Sequence, residues 1–225
     1  MPPRKTSKAR SSKAQSQSSK PRSPADPAAR ALDAALALAA ERGWRKVALK
    51  DVAQKSRLSL AELYTLYPGR AAILRALWRR MDAAVLAGGP ADGDTARDRL
   101  FEIMMRRFDA LAGHKAGIEA ILRDAGADPL MFLCGAVPVL RSMSWMLEAA
   151  GIGSHGLIGR ARAKALALVY LATLRVWLSD DSPDLAATMA ALDKRLRRAE
   201  GLANFCARFD PRERRSGSAA GATAP

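Results

Sequence analysis

Apolar residues recur along this chain with the period of amphipathic helices, and the shortest of these patterns are the most informative. In the stretch 49–68, LKDVAQKSRLSLAELYTLYP, Leu49, Val52 and Ala53 share one helical face while Lys50, Asp51, Gln54 and Lys55 fall on the others. Ser59 has the chemistry of an N-cap, and Glu62 three residues later completes a capping box, which predicts a second helix from about Leu60. That helix carries Leu60, Leu63, Tyr64 and Tyr67 at helical spacing, and Pro68 biases Tyr67 out of the α region, so it has only about two turns. Two short helices joined by a tight turn make a helix-turn-helix. Helices this short are marginal in water and must be held by neighbours.

The neighbours are legible on both sides. Residues 31–42, ALDAALALAAER, form a helical pattern closed by Gly43, and residues 70–86 form another, closed by Gly88-Gly89-Pro90. GGPADGD (88–94) reads as a hinge of helix breakers. Beyond it Phe101, Met104, Phe108 and Leu111 predict a helix with one apolar stripe, flanked by Arg97, Arg99, Arg106 and Arg107. A shorter helix is predicted over 115–123, ended by Gly126. Pro129 opens the next, which runs to about Ala150 with a kink or break expected at Pro138.

Residues 157–178 give the longest helix, apolar nearly all round from Ala165 to Leu178, and Ser182-Pro183-Asp184 predicts the start of a last long helix reaching about Glu200. The apolar stretch is too short to span a bilayer, so no transmembrane segment is expected. A helix apolar on most sides needs cover on both, and the two last helices therefore predict a homodimer built on a four-helix interface. β-Branched runs are absent and no Asn-Gly or Asp-Gly turn sits between alternating runs, so the fold class is expected to be all-α.

Charge sharpens the picture. Of a net +15, the first thirty residues hold eight Lys or Arg against Asp26, a net of +7, and residues 42–80 hold ten against Asp51 and Glu62, a net of +8. Residues 194–215 add a further +5. The first segment, rich in Ser, Lys, Arg and Pro, reads as a basic arm beside a DNA-binding unit or as a plain solvated tail; its composition would also suit a transit peptide, but it contains no secretory signal. Positive charge of this extent releases counterions from a duplex, so double-stranded DNA is the expected partner.

The helix-turn-helix residues resemble the DNA-binding domain of the TetR family of bacterial regulators. AAERG (39–43), Trp44, KDVA (50–53), Leu58-Ser59, Leu63-Tyr64, Tyr67-Pro68 and AIL (72–74) stand in that family's order and spacing. The resemblance implies a TetR-like fold: a three-helix DNA-binding domain followed by a helical bundle that binds ligand and dimerises. It also implies that the second helix of the motif enters the major groove. Tyr64 and Arg70 would then clamp the DNA backbone, and Lys50, Ser59, Leu60, Ala61 and Thr65 would complete the DNA-binding set. The chain departs from the family pattern at Arg57, where Gly is usual, and at Leu60, Ala61 and Glu62.

Phe101, Met104, Met105, Phe108, Phe132, Met143, Trp145, Met146, Tyr170 and Trp177 are candidates for the wall of a small apolar ligand's pocket, since Met and aromatics fill adaptable sites; the same residues also suit plain core. A second resemblance concerns residues 97–200, above all WLSDDSPD (177–184) with Leu192-Asp193, which look like the C-terminal part of the lipid-binding accessory protein of ubiquinone biosynthesis. It implies a lipid-like ligand, a vestigial helix-turn-helix and a membrane-meeting helix for which Leu202, Phe205, Cys206 and Phe209 would serve; a frayed, charged tail explains those residues equally.

No nucleophile with a base, paired carboxylates, phosphate loop or metal-ligand spacing is present in the sequence. His114 and His155 stand apart from any acid or Cys at ligand spacing, and Cys134 and Cys206 read as thiols of a reducing cytosol. The expectation is a cytoplasmic regulator, a repressor released by its ligand, without enzymatic activity, cofactor, metal or catalytic residue. Four segments are expected: a basic arm (1–27), a helix-turn-helix domain (28–78), a ligand-binding and dimerisation domain (79–203) and a basic tail (204–225).

Overall fold

The computed structural model describes the backbone of residues 26–126 and 129–208, with side chains over 26–126 and 136–201. The basic arm up to residue 25, the tail beyond 208 and the side chains of Phe132, Leu202, Phe205 and both cysteines lie outside the described residues. Among those described, every regular element is helical. The order is α1 (Pro27–Arg42), a 3-10 turn (Trp44–Lys46), α2 (Leu49–Ser56), α3 (Leu60–Leu66), α4 (Arg70–Ala87) and α5 (Ala96–Ala112). It continues with α6 (Lys115–Gly126), α7 (Pro129–Ala149), α8 (Gly156–Ser179) and α9 (Ala186–Arg208).

The first helix starts on the Asp26 carboxylate, which accepts from Ala28 N–H, with Pro27 in the first turn. It buries an Ala- and Leu-rich face, including Ala31, Leu32, Ala35 and Leu36, and α2, α4 and α6 pack around it. Small residues let the backbones come close. An ideal Cβ on Gly117 of α6 would sit 2.6 Å from the Leu36 carbonyl oxygen, so only glycine fits at that crossing.

The C-terminal bundle surrounds α5, whose Ile103, Met104, Phe108 and Leu111 are buried against α7, α8 and α9. Thr95 and Asp98 form a second capping box at its start, a Thr-x-x-Asp signal that can be read in the sequence. The fourth helix belongs to both halves of the molecule, packing on α1, α5 and α7. The expected domain boundary after residue 78 therefore falls inside a continuous helix.

Two expectations need correction and a third is narrowed. Of the kink or break expected at Pro138, no break occurs: the lost N–H is one bond in a helix of 21 residues packed on α4, α5, α6 and α8. Arg107 does not flank the α5 stripe but is wholly buried, because the Asp82 carboxylate of α4 reaches in to meet it at 2.5 Å. The last helix starts at Ala186 rather than at Pro183. Ser182–Leu185 instead make a turn, with Leu185 in the left-handed region at φ 53°. The Asp180 carboxylate then caps the helix from a distance, accepting from Thr188 N–H at 2.8 Å and from the Thr188 hydroxyl at 2.7 Å. Hydrogen bonds from Ser182 and Thr188 hold Asp180 far below the usual carboxylate range.

Candidate nucleic-acid interface

The turn between α2 and α3 is set by local hydrogen bonds. The Arg57 N–H donates to the Gln54 carbonyl at 3.2 Å and the Leu58 N–H to the Ala53 carbonyl at 2.9 Å, the paired bonds of a helix end that needs a left-handed residue. Arg57 supplies it at φ 57°, ψ 43°, a conformation that costs a non-glycine residue about 1–2 kcal/mol. The buried Ser56 hydroxyl donates to the Val52 carbonyl at 2.7 Å and so needs no outside partner.

The capping box of α3 is complete. Ser59 Oγ accepts from Glu62 N–H at 3.2 Å, while Glu62 Oε2 accepts from Ser59 N–H at 2.7 Å and from Ser59 Oγ–H at 2.8 Å. The Ser59 backbone N–H, then its hydroxyl, hold the Glu62 carboxyl below its ordinary value. The acid of α3 is thus folded back onto its own backbone rather than presented outward. The same geometry commits the Ser59 hydroxyl to the cap.

Helical spacing alone put Leu60, Leu63, Tyr64 and Tyr67 together, and the structure divides them. Leu63 and Tyr67 are buried, and the Tyr67 hydroxyl donates to the Ala28 carbonyl of α1 at 3.0 Å. Leu60 and Tyr64 are 58% and 70% exposed, with Ala61 and Thr65 exposed beside them. A two-turn helix that exposes a leucine and a tyrosine on one face presents a surface made for contact. Lys50 is exposed on α2. Thr65 Oγ–H donates to the Ala61 carbonyl.

Arg70 sits at the first position of α4, exposed, and its Nη1 donates to the Trp44 and Arg45 carbonyls at 3.3 and 3.0 Å. It therefore pins the 3-10 turn to the start of α4. Asp124 of α6 holds the same turn from the other side, accepting from Arg45 N–H at 2.7 Å. No pattern in the sequence signals that contact, which joins residues far apart along the chain. Lys55 pairs with Glu41 and Arg42 with Asp51, ion pairs that tie α2 to α1.

The residues expected to line a ligand pocket are brought together in the C-terminal bundle. Met104, Phe108, Met143, Met146, Tyr170 and Trp177 are buried and Phe101 is partly buried; Phe108 stacks 5.8 Å from Tyr170 and lies 6.0 Å from Trp177. Trp145 stands apart from them, 51% exposed. A cleft of about 630 Å³ lies between α4 and α7, with Trp145 on its wall. No group of three or more His, Cys, Asp or Glu side chains suited to a metal occurs among the described residues, and no described helix is long and apolar enough to cross a membrane.

A short helix, a tight turn and a second, capped two-turn helix whose outer face is exposed make a helix-turn-helix. Residues 31–77 match the model of the bacterial regulatory proteins of the tetR family, and residues 160–203 match the COQ9 family model. The fold is that of TetR-type regulators. A TetR transcriptional regulator from Nitrosomonas europaea superposes with a TM-score of 0.63 at 25% identity, over 78% of this chain and 99% of that one. A TetR transcriptional regulator from Rhodococcus sp. RHA1 gives 0.56 at 21% identity over 76% and 93%, and Salmonella enterica GusR gives 0.52 at 19% over 77% and 94%. No curated protein matches the chain in sequence. The chain is thus similar to TetR-family proteins in residues 31–77 and has a TetR-like fold.

Proposed function

We propose that this protein is a TetR-type transcriptional regulator that binds a two-fold operator as a homodimer and responds to a small ligand bound by its C-terminal part. Regulators of this family act by binding rather than by catalysis. The observation that carries the reading is the outward face of α3, where Leu60, Ala61, Tyr64 and Thr65 are exposed on a helix whose one acid is locked into its own cap. A vestigial motif has no physical reason to keep that face open and that acid turned away.

The last two helices support the dimer. They pack on each other, and α8 still leaves Leu157, Ile158 and Leu168 at 82%, 62% and 70% exposure, a face that a second copy would cover. A pair of reading helices related by a two-fold axis suits half-sites about one helical turn apart. Repression, with release by ligand, is the simplest mode for such a dimer. The COQ9 match on α8 and α9 favours a second reading, a lipid-binding accessory factor, in which the α3 face would be idle.

Binding of the purified protein to the DNA upstream of its own gene, compared with a scrambled duplex at two salt concentrations, separates the readings. A regulator prefers its own sequence and keeps that preference at physiological salt. Tyr64→Ala, on an exposed side chain, should weaken operator binding roughly five- to tenfold without altering stability, the effect of one lost backbone contact. Sequence-blind binding abolished by salt, with lipid co-purifying, would overturn the regulator reading.

A further inference from the structure

The cleft between α4 and α7 has a composition that the packed aromatic core lacks. Its walls are apolar, formed by Trp78 and Leu86 on one side and Val137, Pro138 and Trp145 on the other, and Arg75, Arg79 and Arg141 also line it. These three arginines form no ion pair among the described residues, whereas Asp82, the acid of the cleft, is engaged by Arg107 and by the Ser142 hydroxyl. The cleft is therefore cationic. Trp145 and Val137 remain largely exposed on its wall.

A second, independent feature lies behind it. The Arg107 guanidinium is wholly buried between two rings, 5.7 Å from the Trp78 centroid and 5.2 Å from that of Tyr170, and its Nε and Nη2 have no hydrogen-bond partner. The Tyr170 hydroxyl lies against the same guanidinium without a hydrogen bond of full geometry, and burial pushes its phenol up. Buried polar groups this poorly paired are costly. Trp78 and Asp82, which meet this guanidinium, also line the cleft.

The geometry points to the α4–α7 cleft as the binding site of an amphipathic organic anion, a carboxylate or sulfonate carried on an aromatic or other apolar body. The apolar body lies between Trp78 and Trp145, and the anionic group meets Arg79 and Arg141. Leu66 and Pro68, at the end of the reading helix, line the same cleft, so an occupant touches α3 and α4 together. An effector role for this site rests on the regulator reading above; the binding itself does not.

The test is a fluorescence titration of the full chain with 8-anilino-1-naphthalenesulfonate, beside N-phenyl-1-naphthylamine, the same ring system without the charge. The sulfonate should bind one per protomer and at least about tenfold more tightly than the neutral dye, as expected for charge-assisted contacts. Arg79→Gln combined with Arg141→Gln, both exposed, should remove about that factor for the sulfonate and leave the neutral dye unchanged; Trp145→Ala should weaken both. Equal affinity for the two dyes, or a double variant that binds the sulfonate as before, overturns the site. So does a double variant that loses only DNA affinity, since its arginines are then phosphate contacts. A protein that binds the dye as described but ignores its own upstream DNA keeps the site and loses the regulator reading. One that binds operator but fails the dye test does the reverse.

Discussion

Replacing Arg57 by glycine should make the protein more stable, although it removes a long side chain and a charge. Arg57 is held at φ 57°, ψ 43° by the two bonds that end α2, so the strain is built into the helix-turn-helix and cannot relax without losing them. Relief of the left-handed conformation contributes about 1–2 kcal/mol. Glycine's extra freedom in the unfolded chain costs about 0.5–1 kcal/mol, leaving a net gain of about 0.5–1 kcal/mol. For a chain of this size that is a rise in Tm of roughly 1–4 °C. Arg57→Ala is the matched control, since it removes the same charge and side chain but keeps the strain. Guanidinium unfolding of the three proteins at one protein concentration gives the comparison. A glycine variant no more stable than the alanine variant would refute the argument, and would mean that the turn relaxes in ways the hydrogen bonds do not reveal.

Other perturbations probe the packing around the two sites. Gly117→Ala should destabilise by about 1–3 kcal/mol in thermal unfolding, because α6 must move off the Leu36 carbonyl, whereas Gly113→Ala, with open space around it, should cost less. Arg107→Met should cost about 3 kcal/mol, the low end for breaking a buried pair since Asp82 keeps some contact with water, and Asp82→Asn in the same chain should restore part of the loss. His114, held below its ordinary value chiefly by burial, binds its proton less readily folded than unfolded. Its contribution is therefore complete above the ordinary histidine range and declines as pH falls from about 7 to 5, a slope that His114→Gln should flatten in denaturant midpoints measured across that range.

Much of the candidate site was legible before any folding was considered, because it is written in contacts within four or five residues. The Ser59–Glu62 box, the start of α3 at Leu60 and the stop at Pro68 each depend on a neighbour a turn away. Where a local signal met a stronger distant partner, the local reading failed. Ser182-Pro183-Asp184 has the order of a helix start, but Asp180 captures Thr188 and moves that start to Ala186. Arg107 has the spacing of a flanking charge, but Asp82 on another helix supplies the partner that lets it be buried.

The sequence by itself therefore determined the helices, their caps, the helix-turn-helix and the siting of positive charge, since these follow from chain stiffness, hydrogen-bond capping and composition. Tertiary structure alone decided which side of α3 faces outward, with Leu63 and Tyr67 buried, the latter bonded to α1, and Leu60 and Tyr64 left in solvent. It also decided that Asp124 holds the turn before α2, that Trp145 leaves the aromatic cluster, and that α4 and α7 open a cationic cleft beside α3. The reason is the same in each case. A helical period says which residues share a face, but only the helices packed against that face say whether it is buried, paired or free to bind.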